Sequence, residues 1–173
     1  MNAVETILKL LLIGIIAYGL IFFFQKNWPI SPFGPSLSEF KDATDLHPDV
    51  AEKRDQLIEK AKAQGIDVVI TDGFRSFEEQ DELYARGRTT EGQIVTYSKG
   101  GESYHNYGLA IDFALRVDNG DIIWDMEYDG NGNGKSDWME VAEIGKKLGF
   151  EWGGEWQGFK DYPHFQLRPE DIK

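Results

Sequence analysis

The sequence predicts an α+β domain behind one N-terminal membrane-spanning helix, and three observations predict it. The chain opens with an unbroken apolar run, Leu10 to Phe24. Further on, short runs of strand character, Ile66 to Thr71 and Leu109 to Leu115, are interleaved with stretches of helical spacing such as Asp49 to Gln64. The length, 173 residues without a single cysteine, leaves room for one domain whose core needs no disulfide staples. The same absence excludes Cys-based zinc sites and lipid attachment through cysteine. A formal net charge of −12 argues against a nucleic-acid partner, because phosphate binding needs a basic patch and none is visible.

With Ile7 and Leu8 the apolar run extends across a single Lys9, whose stem can snorkel to the interface. About 18 residues rising about 1.5 Å each span roughly 27 Å, enough for a thin bilayer. A cleaved signal peptide needs a small-x-small site after the run, where bulky Phe22, Phe23 and Phe24 stand instead. A buried core helix would normally show a polar face, which is lacking. Residues 1–25 are therefore expected to be a transmembrane anchor, with Trp28 at the headgroups. Residues 26–45, which contain Pro29, Pro32, Gly34 and Pro35, read as an extended linker, and residues 46–173 as the domain.

Within the domain, Val50, Leu57, Ile58 and Ala61 give a helix that ends near Gly65. His47, ahead of Pro48, reads as structural. The β-branched run from Ile66 to Thr71 is expected to be a buried strand. Ser76 and Glu79 form a capping box that opens a helix to about Arg86, placing Arg75 just before its N-terminus. Arg75 then has two readings: a surface ion pair, or a guanidinium that binds a substrate carboxylate or a developing oxyanion. Gly87, Gly92, Gly100 and Gly101 mark a long irregular connection, a place for a substrate-binding rim.

In the next strand Leu109, Ile111, Phe113 and Leu115 face one side, and Ala110, Asp112 and Ala114 the other. Asp112 either meets solvent there or serves a site. His105 precedes this strand, and Ser103, two residues earlier, could bond substrate backbone or only shape the turn. Near the C-terminus, DYPHFQ sets Asp161 and His164 three apart, with Pro163 disfavouring a regular ladder so that a turn can bring both side chains together. Catalytic zinc commonly takes three protein ligands and leaves a fourth position for water. His105, Asp112 and His164 fit that count, leaving Asp161 as a proton acceptor.

Asp129 to Glu140, DGNGNGKSDWME, satisfies the calcium-loop pattern D-x-[DN]-x-[DN]-G-x5-E: Asp129, Asn131, Asn133, the backbone of Lys135, Asp137 and Glu140 at ligand positions, with Gly134 at the sharp turn. The alternative is a Gly/Asn-rich turn with no ion. The preceding DIIWDMEY reads as a strand and the segment from Asp137 to Leu148 as a helix. In EWGGEWQGF, Trp152, Trp156 and Phe159 either pack in the core or form an aromatic wall beside the metal; Trp152 is the expected substrate contact.

GFRSFEEQDELYARGR, SYHNYGLAIDF and WGGEWQGFKDYPHFQ, in this order, resemble the signature blocks of the zinc-dependent L-alanyl-D-glutamate peptidases. These belong to the M15 (VanY/D-alanyl-D-alanine peptidase) superfamily of cell-wall hydrolases and phage endolysins. The resemblance runs from about Leu46 to Gln166. It implies an antiparallel sheet with flanking helices of the hedgehog/DD-peptidase type. It also implies zinc on His105, Asp112 and His164, a catalytic carboxylate at Asp161 and an active-site arginine at Arg75. Phe74 stands where the family usually has tyrosine, so no hydroxyl contact is expected at that position. The implied activity is endopeptidase cleavage of the L-Ala–D-Glu bond in peptidoglycan stems by a monomeric domain facing the periplasm or cell wall. A D-alanyl-D-alanine carboxypeptidase and a non-catalytic wall-binding module are the alternatives.

Overall fold

The computed structural model describes residues 35–173. The expected anchor, residues 1–25, lies outside the described residues. Among the described residues no helix is long and apolar enough to cross a membrane. Leu37 and Phe40, in a 3-10 turn, pack against the core, so the packed unit begins at Ser36, inside the stretch that reads as linker.

The first helix, α1 (Pro48–Lys62), starts with the rigid φ of Pro48 and is capped by His47, whose Nδ1 accepts from the Asp49 N–H at 3.3 Å. His47 is thus structural, as its position implies. Val50, Leu57 and Ala61 form the buried stripe. Strand β1 (Asp67–Asp72) follows, then α2 (Phe77–Ala85), where both halves of the Ser76/Glu79 capping box form. After residues 86–103 come strands β2 (Ala110–Arg116) and β3 (Ile122–Ile123), helix α3 (Asp137–Lys147), and strands β4 (Glu151–Trp152) and β5 (His164–Gln166).

The sheet is antiparallel in the order β1-β2-β5-β4, with β3 also on β2. Two strand expectations change. The run from Ile66 is only half buried, because β1 is an edge strand. The strand expected across DIIWDMEY shrinks to Ile122–Ile123. Beyond the Leu115–Ile123 pair, the Phe113 N–H bonds Pro163 and Asp112 pairs with His164, so β2 has no free edge there for a longer β3.

Alternation decides which side chains enter the core. Ile111, Phe113, Leu115, Phe165 and Trp152 share a face with Val68, and α1 and α3 cover it with Leu57, Ala61, Trp138, Val141 and Ala142. The Phe113 ring lies 4.4 Å from Trp138 and 5.2 Å from Phe165, centroid to centroid. A Cβ on Gly145 would meet the Phe165 ring at 2.5 Å, so that glycine is what lets α3 sit this close to the sheet. Ala110 and Ala114 are also fully buried, so the second face of β2 is covered and Asp112 is not on an open solvent face.

Candidate metal centre and its cleft

The second face carries the chemistry. The register pairs Asp112 directly with His164, so the ladder puts both side chains on one side at one level. His105 comes from the 3-10 turn Tyr104–Tyr107, which Gly108 ends at φ +67°, against the Asp45 carbonyl where a Cβ has no room. His105 Nε2 lies 3.2 Å from His164 Nδ1 and 3.4 Å from Asp112 Oδ1, and His164 Nδ1 lies 3.1 Å from the same oxygen. Among the described residues this is the one group of three His, Asp or Glu side chains whose ligand atoms all lie within 4.8 Å of one another; the carboxylates of Asp129, Asp137 and Glu140 do not converge in this way.

The outer nitrogens settle what the inner ones can do. His105 Nδ1 lies 2.6 Å from the Gly73 carbonyl, an acceptor only, so the proton is on Nδ1 and the Nε2 lone pair faces inward. His164 Nε2 lies 3.0 Å from Gln166 Oε1. Two imidazole nitrogens and a carboxylate oxygen aimed at one point, with their backs bonded, form a donor set that suits a divalent cation. Burial alone would push the Asp112 carboxyl up, but the bonds and charges of His105 and His164 outweigh it and hold the group well below the usual carboxylate range. Burial opposes charge on His164 as well, yet Asp112, and then Gln166, push its pKa above the ordinary imidazole value.

Asp161 stands at the turn before β5. Its N–H donates to the Gly153 carbonyl at 3.0 Å and its carbonyl accepts from the His164 N–H at 3.2 Å, so the expected turn across Pro163 forms. The indoles of Trp152 and Trp138 both donate to the next carbonyl, Tyr162, at 2.8 and 3.3 Å, anchoring that turn to the core. Burial pushes the Asp161 carboxyl above its usual range. Arg75 forms an ion pair, though not a surface one: its largely buried guanidinium pairs with Asp72, bonds Gln80 Oε1 at 2.7 Å, and lines the cleft.

These groups share a cleft of about 970 Å³, also lined by Ser103, Trp156, Tyr97 and Phe159. Tyr97, from the 86–103 connection, and Phe159 meet edge to face at 5.7 Å across its rim. Trp152 does not line the cleft. It is 5% exposed and packs in the core, because its register partner is Phe165, on the core face; Glu151, paired with Gln166, lies on the site's face of the sheet, behind Gln166 and outside the cleft lining. The cleft tryptophan is Trp156.

Sequence reasoning missed Gln80, Gln166 and Glu151, and chose Trp152 over Trp156 as the substrate contact. Gln80 is fully buried and ties Arg75 to the 86–103 connection through the Ser98 carbonyl at 2.7 Å and Thr96 Oγ1 at 3.3 Å. A buried-side glutamine on a short helix just after Arg75 was the available signal. In the Asp129–Glu140 loop the Asp129 carboxylate accepts from the Asn133 and Gly134 N–H groups at 3.0 and 2.8 Å, and Gly132 and Gly134 have positive φ. The Asn131 and Asn133 amides bond Glu140. Asp137 is 3% exposed; one oxygen accepts from the Gly130 N–H at 3.0 Å, while Oδ1 is buried without a partner.

Comparison with known proteins is consistent with this geometry. The family profile described as D-alanyl-D-alanine carboxypeptidase, of peptidase family M15, matches residues 96–167. The chain is 66% identical over 134 residues to the peptidoglycan L-alanyl-D-glutamate endopeptidase CwlK of Bacillus subtilis, covering 78% of this chain and 80% of that protein. It is 31% identical over 112 residues to the L-alanyl-D-glutamate peptidase of Listeria phage A118, covering 65% of this chain but 34% of that longer protein. The fold is shared with a crystal structure of the L,D-carboxypeptidase DacB from Streptococcus pneumoniae, with TM-score 0.51 and 23% identity over 76% of this chain and 72% of that one.

Proposed function

The chain belongs to the M15 family of peptidases, and on that premise we propose that it is a zinc endopeptidase cleaving the L-Ala–D-Glu bond of peptidoglycan peptide stems. The observation that carries the reading is the convergence of His105, Asp112 and His164 in a cleft that also presents Asp161 and Arg75. The choice of bond follows the Bacillus relative.

His105 Nε2, Asp112 Oδ1 and His164 Nδ1 would hold the ion. Zinc bound there supplies Lewis acidity toward the scissile carbonyl and a water acidic enough to ionise near neutral pH. Asp161 takes the proton of the attacking water and returns it to the leaving amine nitrogen; burial, which raises its basicity, suits it to that work. Arg75, held in orientation by Asp72 and Gln80, offers N–H donors to the developing oxyanion or a stem carboxylate. Ser103 bonds the stem backbone, and Trp156 flanks it.

Mass spectrometry of muropeptides after incubation with the zinc-loaded protein tests the assignment. A new L-alanine C-terminus with a freed D-glutamyl amine is the expected product. Loss of a terminal D-alanine would instead favour the carboxypeptidase reading that the matched profile's description raises.

For the Asp129–Glu140 loop the proposed ion is calcium. The support is the complete ligand pattern together with Asp137 Oδ1, a buried carboxylate oxygen with no protein partner, which a cation would satisfy. Trp138 follows Asp137 directly and bonds Tyr162 beside Asp161, so order in the loop can reach the catalytic turn. Calcium should raise the melting temperature of the parent and not of Glu140→Ala, and chelating calcium in excess zinc should lower turnover. The apolar run at residues 7–24 supports an anchor that holds the domain at the wall side of a membrane, and fractionation of cells expressing the full chain tests it.

A further inference from the structure

We infer that Gln166, held by Glu151, is a positioning residue that keeps the proton of His164 on Nε2 and so reserves Nδ1 for the metal. The inference rests on the zinc reading of the His105, Asp112 and His164 group.

Three contacts carry it. The β4–β5 register pairs Glu151 with Gln166, and alternation puts Gln166 on the face of His164, two residues away. Gln166 Nε2 donates to Glu151 Oε2 at 3.1 Å, and Gln166 Oε1 faces His164 Nε2 at 3.0 Å. A side-chain amide has one end that donates and one that accepts, and a carboxylate only accepts. Glu151 therefore dictates which end of Gln166 it meets. The end left for His164 is the carbonyl oxygen, which only an Nε2–H can satisfy.

The constraint has something to oppose. Asp112 Oδ1, 3.1 Å from His164 Nδ1, draws a proton onto the nitrogen that must be bare for a metal. Without an acceptor behind Nε2, the neutral ring would keep its proton on Nδ1 against Asp112, and loading a metal would require expelling it and turning over the tautomer in a buried site. Gln166 removes that cost in advance. Glu151 acts on the cleft as well: its other oxygen accepts from Trp156 Nε1 at 2.8 Å, and the Trp156 ring lies 5.1 Å from the His164 ring. One partly solvated carboxylate thus sets both the amide behind the metal ligand and the aromatic wall in front of it.

The test is zinc affinity by chelator competition in the full chain, with the His164 ring followed by nitrogen-15 NMR, for Gln166→Leu and for Glu151→Ala. The second variant removes an exposed side chain and guards against loss of fold in the first. Gln166→Leu should bind zinc about 10–100-fold more weakly, the usual cost of deleting a partner behind a ligating histidine. Glu151→Ala should weaken binding less, and both should move the hydrogen-bonded Nε2–H resonance of zinc-loaded His164. Zinc affinities within twofold of the parent together with an unmoved ring proton in both variants would overturn the inference while leaving the zinc site standing. A parent that takes up no zinc, or a His105→Ala variant that binds it as tightly, would overturn the underlying site reading instead.

Discussion

Asp112 and His164, 52 residues apart in sequence, are direct partners across the antiparallel β2–β5 ladder, with Asp112 Oδ1 3.1 Å from His164 Nδ1. Partners of this kind share a face and a level, so main-chain hydrogen bonds, not side-chain packing, fix the spacing of two of the three candidate ligands. His105 is added from a turn tied to the Gly73 carbonyl. Asp161 is set by a different device, the turn that Gly153 and Tyr162 hold, and the two can fail separately.

That separation gives the first prediction. Asp161→Ala should keep its zinc and lose turnover by about 10²–10⁴-fold, the range for a general acid–base group. Asp112→Ala and His164→Ala should lose both. Metal content after dialysis, measured beside muropeptide cleavage, distinguishes the two classes, and an Asp161→Ala protein that still cleaves at the parent rate would remove Asp161 from the mechanism.

The two tryptophans of EWGGEW should behave oppositely. Trp152→Ala opens a core cavity and unties the Tyr162 carbonyl, so it should destabilise the fold by about 3–5 kcal/mol in denaturant melts. Trp156→Ala should leave the melt nearly unchanged and raise KM for the stem peptide, because its ring lines the cleft.

Gln80 should matter to Arg75 at a distance. Gln80→Leu removes the acceptor at 2.7 Å from the guanidinium and leaves the Ser98 carbonyl unpaired, at about 1–3 kcal/mol of stability. Turnover should fall toward that of Arg75→Ala, for which a loss of about 10²-fold is expected if the guanidinium stabilises an oxyanion. Steady-state kinetics on a defined muropeptide, with a thermal melt to confirm folding, checks both.

Asp137 gives a pH dependence whose sign can be worked out. Burial pushes its carboxyl above the usual range. A group that binds its proton more tightly in the folded state contributes stability that is complete below the unfolded pKa and lost as pH rises through the folded one. Above its folded pKa the calcium-free protein bears a buried charge, and Asp137→Asn should melt roughly a few degrees higher there, with the gain shrinking as the pH falls through that pKa. In calcium the order should reverse, since the amide is the weaker ligand. Melts at neutral and acid pH, with chelator and with calcium, test both parts.

The residues of the candidate site were legible in the sequence because they lie in compact, ordered blocks: His105 and Asp112 on either side of a glycine turn, Asp161 and His164 on either side of a proline. The helices were legible for a local reason too, since capping boxes and apolar spacing act within a few residues. What lay beyond the sequence was register. Whether Trp152 or Glu151 lies on the site's face of the sheet depends on which of them pairs with Phe165, and a shift of one residue exchanges the faces. Gln166 acquires its role only from that pairing, which also selects Trp156 over Trp152, and Gln80 acquires its role from the packing of residues 86–103 against α2. Local chemistry alone determined which residue types could hold a metal and take up a proton. The tertiary structure alone decided which neighbours orient them, because strand pairing joins segments far apart in the chain and its two-residue period assigns every side chain to a face at once.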